Sequence, residues 1–435
     1  MDREIARLAF PALATLVAEP LYVLTDTAVV GHLGTPQLGG LALASTVLLT
    51  GYSVFIFLAY GTTASVARLL GAGHQREAAQ QAIQSLWLAA ALGTVLSVLG
   101  LVFGRQILAL LGSGDAVLGY AWTYLWISLL GVPALMLTLA GTGYLRGLQN
   151  TRVPLYVTVG GVLANLVVEL VLIFGLGMGI GASAFASVLA QWGVASIYLA
   201  IAVRKARSVD VGLAPRPRLI VSQLGVGSDL LVRTVALRSS LMVATAVAAR
   251  MGTVTLAAHQ IAFEIWNFLA MAVDAIAIAA QALIGRMLGA GDATAARSAA
   301  GRMLRWGLTF GFGALVVTAV VSRVLPELFS SDRAVTSLAA TLLLWVAFLQ
   351  PVNAVAFVLD GVIIGSGDTR YLAFVMVLAG VVFIPLAVAV NLTSLGIEAL
   401  WACLGILMAI RLVTLWGRYR TDRWEVTGVG TRALG

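Results

Sequence analysis

The sequence predicts an all-α integral membrane protein with twelve transmembrane helices, built as two six-helix lobes. Three observations lead to this fold class. Hydrophobic residues make up 60% of the 435-residue chain and charged residues only 11%, whereas soluble domains carry about a quarter charged residues. Apolar runs of about 20 residues recur along the chain, each long enough to cross a hydrocarbon layer of roughly 30 Å as a helix. Finally, sequence motifs of the first half of the chain recur in the second half.

The apolar runs are continuous rather than alternating, which favours helices over barrel strands. Segment 204–220 is basic and punctuated by prolines, so we expect a cytoplasmic linker there, between an N-terminal lobe (1–203) and a C-terminal lobe (221–435). We expect helices, within several residues, at 10–31, 38–68, 79–104, 117–143, 153–175, 180–203, 221–249, 256–286, 297–320, 334–364, 370–392 and 395–417.

The repeat has a period of 218 residues. LLGAG at 69–73 recurs as MLGAG at 287–291, and Pro133 recurs as Pro351. Because each copy holds six helices, an even number, both copies enter the membrane from the same side. This predicts a parallel repeat with a pseudo-twofold axis along the membrane normal and a cavity between the lobes.

Charge sets the orientation. If the N-terminus is cytoplasmic, most of the 27 Lys and Arg residues fall in or beside cytoplasmic segments, and we place only Arg233 and Arg238 within a helix. Both termini are therefore predicted to be cytoplasmic, in the inner (plasma) membrane of a prokaryote. The net charge of +8 then reflects membrane topology, and no nucleic-acid partner is expected.

The first helix carries two acids, Glu19 and Asp26, which together with Thr15 and Tyr22 form one polar face. An acid at mid-membrane costs about 2.5 to 3.5 kcal/mol, so this face needs water or a cavity. Asp26 has no acidic counterpart in the second copy, where Ala244 stands. We interpret Asp26 as a protonatable cation site; the alternative is a structural acid paired with a buried arginine.

Helices five and six add polar groups at four-residue steps. Asn165 and Glu169 share one face of helix five, and Ser183, Ser187 and Gln191 share one face of helix six. With Asp26 and Tyr22 these groups could surround a small cation or share a proton. Two acids facing one cavity repel each other when both are charged, which favours a proton on one of them. For Ser183 alone, ordinary helix packing is the favoured interpretation.

The second copy has its own polar residues. An arginine in the membrane needs a partner, so Asp229, Arg233 and Arg238 are predicted to form structural ion pairs in which the arginines neutralise Asp229, Asp274 or Asp360. Bracing of the lobe and binding of substrate both remain open for the acids of this copy. The candidate substrate-cavity residues are Glu19, Gln191, Glu264, Asn267, Asp274, Asn353 and Asp360.

Several classes of function are excluded or disfavoured. The chain has one cysteine, Cys403, and three histidines that lie far apart, which argues against a metal centre and against an enzyme built on these groups. No Walker sequence is present, so direct ATP hydrolysis is not the energy source. No cofactor is expected. A channel remains a weaker alternative.

Four stretches carry a resemblance to a known family: PLYVLTDTAVVGHLGTPQLGGLA, RLLGAG, GYLRGLQNTRVP and DGVIIGSGDTR. They resemble the multidrug and toxic compound extrusion (MATE) transporters, and the resemblance covers essentially the whole chain. SDLLVRTVAL at 228–237 and AVDAIAIAAQ at 272–281 are similar to the DinF-like branch. The resemblance implies cation-coupled antiport of amphipathic, often cationic, compounds.

The resemblance also assigns roles to single residues. The family's cation-site acid and the tyrosine one turn earlier fall on Asp26 and Tyr22, and the proline at which the first helix bends falls on Pro11. The sodium-coupled NorM branch has an acid in helix seven where this chain has arginines, which favours proton coupling. The remaining family positions fall on Asn165, on Glu169 where Asp is common, on Ser187 where Thr is frequent, and on Thr142 where the family has an amide.

The sequence therefore predicts a monomeric secondary exporter of amphipathic cationic compounds that works by rocker-switch alternating access among membrane lipids. Protons are the expected coupling ion, and sodium bound at Asp26, Asn165 and Glu169 is the alternative. A lipid-linked precursor flippase of the same superfamily is the rival function. The physiological substrate and the coupling stoichiometry are not encoded in any compact motif.

Overall fold

The computed structural model describes residues 1–111, 115–393 and 395–429, without the side chains of Glu19, Asp115 and Ala116. The described residues form helices joined by short connections. The helices are α1 (Asp2–Gly31), α2 (Thr35–Val54), α3 (Phe57–Gly71), α4 (Gln75–Leu110), α5 (Asp115–Leu129), α6 (Val132–Gly147), α7 (Arg152–Leu170), α8 (Ile180–Ser208), α9 (Pro217–Arg250), α10 (Thr253–Gly289), α11 (Ala293–Val321), α12 (Arg333–Ser366), α13 (Thr369–Thr393) and α14 (Ile397–Tyr419).

The predicted fold class is confirmed. Eleven spans are long and apolar enough to cross a membrane, counting α2 and α3 as one, and the pair α5 and α6 makes up to twelve. No strand occurs among the described residues. In an apolar layer each backbone N–H and C=O must be paired within its own segment, which is why these runs are helical.

Two predicted helices are interrupted. Predicted helix 38–68 turns at Phe55 and Ile56, which separates α2 from α3. Predicted helix 117–143 breaks at Leu130 and Gly131, and the two parts meet at 49°. Pro133 lies in the first turn of α6, directly after the second break, at a position where the missing N–H of a proline is tolerated. Its counterpart Pro351 lies inside the continuous α12.

Helix boundaries also differ from the prediction near the middle of the chain. α8 continues to Ser208 and α9 begins at Pro217, so both ends of the predicted linker at 204–220 are helical. α1 begins at Asp2, eight residues before the predicted start at residue 10.

The chain divides into two compact units. One comprises Phe10–Gly227, and the other comprises Met1–Ala9 together with the chain from Ser228 onward. We call them the N-terminal and C-terminal units. The C-terminal unit has a large apolar core in which Trp401, Phe383 and Leu404 are fully buried. In the N-terminal unit, the buried residues of α3 and α6 contribute much of the core.

The repeat is visible as matching helix contacts inside each unit. A Cβ atom added at Gly143 would lie 2.5 Å from the carbonyl oxygen of Ala59, and one at Gly361 would lie 2.5 Å from that of Ala277. Both residues of the second pair are 218 positions after those of the first. Glycine is required at both crossings, since any side chain would overlap the facing backbone.

Candidate functional site

Asp26 lies on α1 in the N-terminal unit, and its side chain is only 5% exposed. The Ser183 hydroxyl donates to Oδ1 at 2.6 Å, and the Tyr124 hydroxyl donates to Oδ2 at 3.3 Å. These donors come from α8 and α5, so three helices meet at this carboxyl group. Hydroxyl donors stabilise a charged carboxylate that is removed from water.

Glu169, on α7, lies beside Asp26. Its side chain is 1% exposed, and neither carboxyl oxygen accepts a hydrogen bond from a described group. The Glu169 carboxyl group interacts directly with that of Asp26, and Ser183, which is also near, gives its single proton to Asp26. A buried carboxylate without donors costs several kcal/mol, so this pair is unstable with two negative charges.

The backbone next to Glu169 is irregular. α7 ends at Leu170 and continues as a π-helical turn, Val171–Gly175. Such turns are rare and occur frequently at functional sites. The Glu169 side chain thus projects from the last turn of a regular helix, just before the helical winding changes.

Ser187 links the remaining predicted residues. The Tyr22 hydroxyl and Ser187 Oγ are 2.6 Å apart, and Asn165 Nδ2 donates to Ser187 Oγ at 3.2 Å. Asn165 and Ser187 are both buried. The structure therefore brings together five predicted residues with two further ones. We call this set the N-terminal polar cluster: Tyr22, Asp26, Tyr124, Asn165, Glu169, Ser183 and Ser187.

Two members of the cluster were not predicted. Ser183 was assigned to helix packing, whereas its hydroxyl donates to Asp26; its position one turn before Ser187 was the available signal. Tyr124 stands between Trp122 and Trp126, which resemble interfacial anchors, and no sequence signal separates it from them. The contacting helix α5 lies about 100 residues from Asp26 along the chain, beyond the reach of any local pattern.

Other predicted residues of this unit lie outside the cluster. Thr142 is buried on α6. Gln191 Oε1 is buried without a donor among the described residues and packs against Gly131, where α5 meets α6. α1 continues through Pro11, whose carbonyl oxygen accepts from Thr15 Oγ1 at 2.8 Å. Glu19 lies on α1, but its side chain is outside the described part of the structure.

The C-terminal unit contains a buried ion-pair triad. Asp360 Oδ2 accepts from Arg233 and from Arg411, each at 2.6 Å. All three side chains are buried, and the Arg411 guanidinium also lies 5.1 Å above the Phe357 ring. Arg411 is not among the predicted arginines, because the charge pattern placed only Arg233 and Arg238 within a helix. Arg411 is only 1% exposed on α14, so it must be added to the arginines that lie within a helix.

The other predicted polar residues of this unit lie in several different environments. Asp360 lies in an ion pair rather than in an open cavity, while the Arg238 side chain is exposed. Asp229 accepts from Thr369 Oγ1 at 2.9 Å. Glu264 is exposed and accepts from Gln260 at 2.8 Å. Among the rest, Asn267 and Asp274 are half-buried, and Asn353 is buried with both amide atoms unpaired among the described residues.

Comparison with known proteins decides the family. The MatE family model matches residues 11–171 and 230–389, one segment in each copy of the repeat. The chain belongs to the MatE family. MatE proteins are transporters and not enzymes, so this multi-pass membrane protein is an efflux transporter. The family match favours an exporter over the flippase alternative.

Individual relatives are consistent with this family assignment. The chain is 33% identical over 440 residues to protein DETOXIFICATION 44, chloroplastic, of Arabidopsis thaliana, covering 97% of this chain and 83% of the relative. It is 28% identical to DNA damage-inducible protein F of Escherichia coli strain K12, with 97% and 94% covered. It is 29% identical to a probable multidrug resistance protein NorM of Xanthomonas axonopodis pv. citri, with 83% and 81% covered. The second of these is consistent with the predicted DinF-like branch.

The MatE fold is matched as well. A crystal structure of MATE in the bent conformation superposes with a TM-score of 0.89 at 20% sequence identity, covering 97% of this chain and 96% of that chain. A likeness at this identity establishes the helical architecture alone. The roles of single residues in this MatE transporter must therefore be argued from its own contacts.

Proposed function

We propose that this MatE protein exports amphipathic organic cations in exchange for protons, which bind at Asp26 and Glu169. The observation that carries this proposal is the Glu169 carboxyl group, which is buried beside Asp26 and accepts no hydrogen bond from the described residues. Such a pair is stable when it holds at least one proton. It is a reversible proton site inside the N-terminal polar cluster.

The surroundings of Asp26 support protons over sodium. Both of its oxygens already receive hydrogen bonds from hydroxyl groups, which stabilise the carboxylate after its proton has left. Neither Asp26 nor Glu169 has an arginine or lysine partner among the described ion pairs. The alternative of a structural acid neutralised by a buried arginine fits the triad at Asp360 instead. Sodium bound by Asp26, Asn165 and Glu169 remains the competing proposal.

The cycle follows from these contacts. A proton from outside binds the carboxyl pair, the hydrogen bonds at Asp26 rearrange, and α1 moves at Pro11. The substrate leaves outward, the lobes rock, and the proton is released inside. By thermodynamic reciprocity, proton and substrate must each weaken the binding of the other. In this proposal the transporter is a monomer in a prokaryotic plasma membrane, with both termini cytoplasmic.

The decisive experiment is efflux of a fluorescent organic cation from proteoliposomes under an imposed pH gradient, with and without sodium. We expect wild-type efflux to follow the pH gradient regardless of sodium, and Asp26→Asn to abolish it while normal amounts of folded protein remain in the membrane. Undiminished proton-driven efflux by Asp26→Asn would refute the proposal. Efflux that requires sodium without a pH gradient would establish the sodium alternative.

A further inference from the structure

The chain passes between the two units at two equivalent points. It leaves the C-terminal unit inside α1, between Ala9 and Phe10, and leaves the N-terminal unit inside α9, between Gly227 and Ser228. Ala9 and Gly227 are 218 residues apart, which is the period of the repeat. The first helix of each copy therefore begins in the unit formed mainly by the other copy.

The start of α1 is fastened to α11 within the C-terminal unit. Arg302 donates to both carboxyl oxygens of Asp2, with Nε at 2.6 Å from Oδ1, and the Trp306 indole N–H donates to Oδ1 at 3.1 Å. Ile5 and Leu8 in the following turns are fully buried, whereas Phe10 is 66% exposed. The tight packing of α1 in this unit thus ends where the unit boundary falls.

The start of α9 is fastened to α4 within the N-terminal unit. Gln84 donates to the Ala214 carbonyl oxygen at 3.1 Å and accepts from the Arg216 N–H at 2.7 Å. Ser85 donates to Gln223 Oε1 at 2.9 Å. Gln84 and Arg302 are 218 residues apart, so equivalent positions of equivalent helices hold the two helix starts.

The two attachments differ chemically. The attachment at Gln84 uses uncharged groups and mostly backbone partners, whereas the attachment at Arg302 is one carboxylate held by a guanidinium and an indole N–H. The Asp2 and Arg302 side chains are 44% and 40% exposed, so water and salt can compete for them. Pro11 follows two residues after the crossing point, and its equivalent in the second copy is Asp229. α1 alone therefore combines a breakable ionic attachment with a proline that omits one helical hydrogen bond.

We propose that Asp2, Arg302 and Trp306 form a latch that positions α1 during transport. The latch holds the first eight residues of α1, Asp2 to Ala9, fixed, so that movement of the Asp26 segment is taken up at Pro11. Release of the latch leaves the start of α1 held by the packing of Ile5 and Leu8, which lowers the cost of moving the whole helix. This inference rests on the proposed function in one respect, namely that α1 moves when Asp26 exchanges its proton. The latch itself is an equilibrium property that is measurable without substrate.

The test is the conformational equilibrium of the purified full-length protein in lipid nanodiscs. Spin labels at Gln75→Cys and Thr294→Cys, both exposed and 219 residues apart on the first turns of α4 and α11, report the distance between the units in a Cys403→Ala background. The two main label-to-label distances represent two conformations of the transporter. We expect Asp2→Asn to change the ratio of their populations by about two- to fivefold, which corresponds to the free energy of an exposed ion pair. The double exchange Asp2→Arg with Arg302→Asp should restore the wild-type ratio at least in part.

The control is Arg305→Gln, which removes one exposed positive charge from α11 near Arg302, at a side chain that donates to the Gly301 carbonyl oxygen. The latch is refuted if Arg305→Gln shifts the ratio as much as Asp2→Asn does, or if Asp2→Asn leaves it unchanged. If Asp2→Asn does not accumulate, Trp306→Phe is used instead, and a smaller shift in the same direction is expected.

The outcome is separable from that of the proton site. Should Asp26→Asn retain proton-driven efflux while Asp2→Asn still shifts the distance ratio, the latch stands and the proposed function fails. Should Asp26→Asn abolish efflux while Asp2→Asn leaves the ratio unchanged, the proposed function stands and the latch fails.

Discussion

Ser183 on α8 donates a hydrogen bond of 2.6 Å to Asp26 on α1, while Glu169 next to them receives none from the described residues. One hydroxyl proton thus serves one of two neighbouring carboxyl groups. The two acids therefore differ: hydroxyl donors stabilise the charged form of Asp26, whereas no described donor stabilises the charged form of Glu169. The first two predictions follow from this difference.

Ser183→Ala is expected to reduce proton-driven efflux by about tenfold or more. The charged form of Asp26 loses a hydrogen bond worth about 1.5 to 3 kcal/mol, and about 1.4 kcal/mol corresponds to a factor of ten. The measurement is the initial rate of efflux from proteoliposomes under a pH gradient. Ser196→Ala is the matched control, because Ser196 is on the same helix and bonds only to the Trp192 carbonyl oxygen. Equal loss in both variants would contradict the assigned role.

Glu169→Gln is expected to abolish proton-driven efflux and yet to stabilise the protein. At alkaline pH both carboxyl groups of the wild type become charged and repel each other, whereas the variant retains a single charge. The stability gain should therefore grow as the pH rises and vanish under acidic conditions, where the wild-type pair is protonated. Thermal unfolding across a pH series measures this, and a rise of a few degrees is expected. A variant that is less stable at alkaline pH would be evidence against a shared proton.

Arg411→Leu is expected to destabilise the C-terminal unit by about 1.5 to 3 kcal/mol, because Asp360 loses one of its two charged hydrogen-bond donors but keeps Arg233 as its counter-charge. Asp360→Leu should cost more, since it leaves two buried guanidinium groups facing each other. Arg238→Leu, on an exposed side chain, should change stability by less than about 0.5 kcal/mol. Chemical unfolding in detergent distinguishes the three variants. If Arg411→Leu instead unfolds like the wild type, the triad is not a structural brace.

Gly143→Ala and Gly361→Ala are both expected to lower the yield of folded protein strongly. A Cβ at either position would lie 2.5 Å from a facing carbonyl oxygen, so α6 or α12 would have to move away from its neighbour. Gly160→Ala on α7 is the control, because no atom lies within 4 Å of its added Cβ. Size-exclusion profiles and thermal unfolding provide the measurement. A normal profile for either variant would show that these crossings tolerate a wider separation.

The helices, the repeat and several members of the N-terminal polar cluster could be predicted from the amino-acid sequence. Apolar runs specify helices because a bilayer leaves the backbone no other partner. Spacing along a helix then fixes which polar groups share a face, as for Asn165 with Glu169 and Ser183 with Ser187. An acid in an apolar run is costly enough to indicate function or pairing, which is why Asp26 was recognised.

The partners of those residues could not be predicted, because they depend on how the helices cross. Helical periodicity states which way a side chain faces along its own helix, but not which distant helix crosses there. Helix crossings bring Tyr124 next to Asp26 and Arg411 next to Asp360. The local spacing of polar residues predicts neither of these pairings. The same holds for Asp2 and Arg302, which are 300 residues apart: their attachment depends on where α1 passes from one unit into the other.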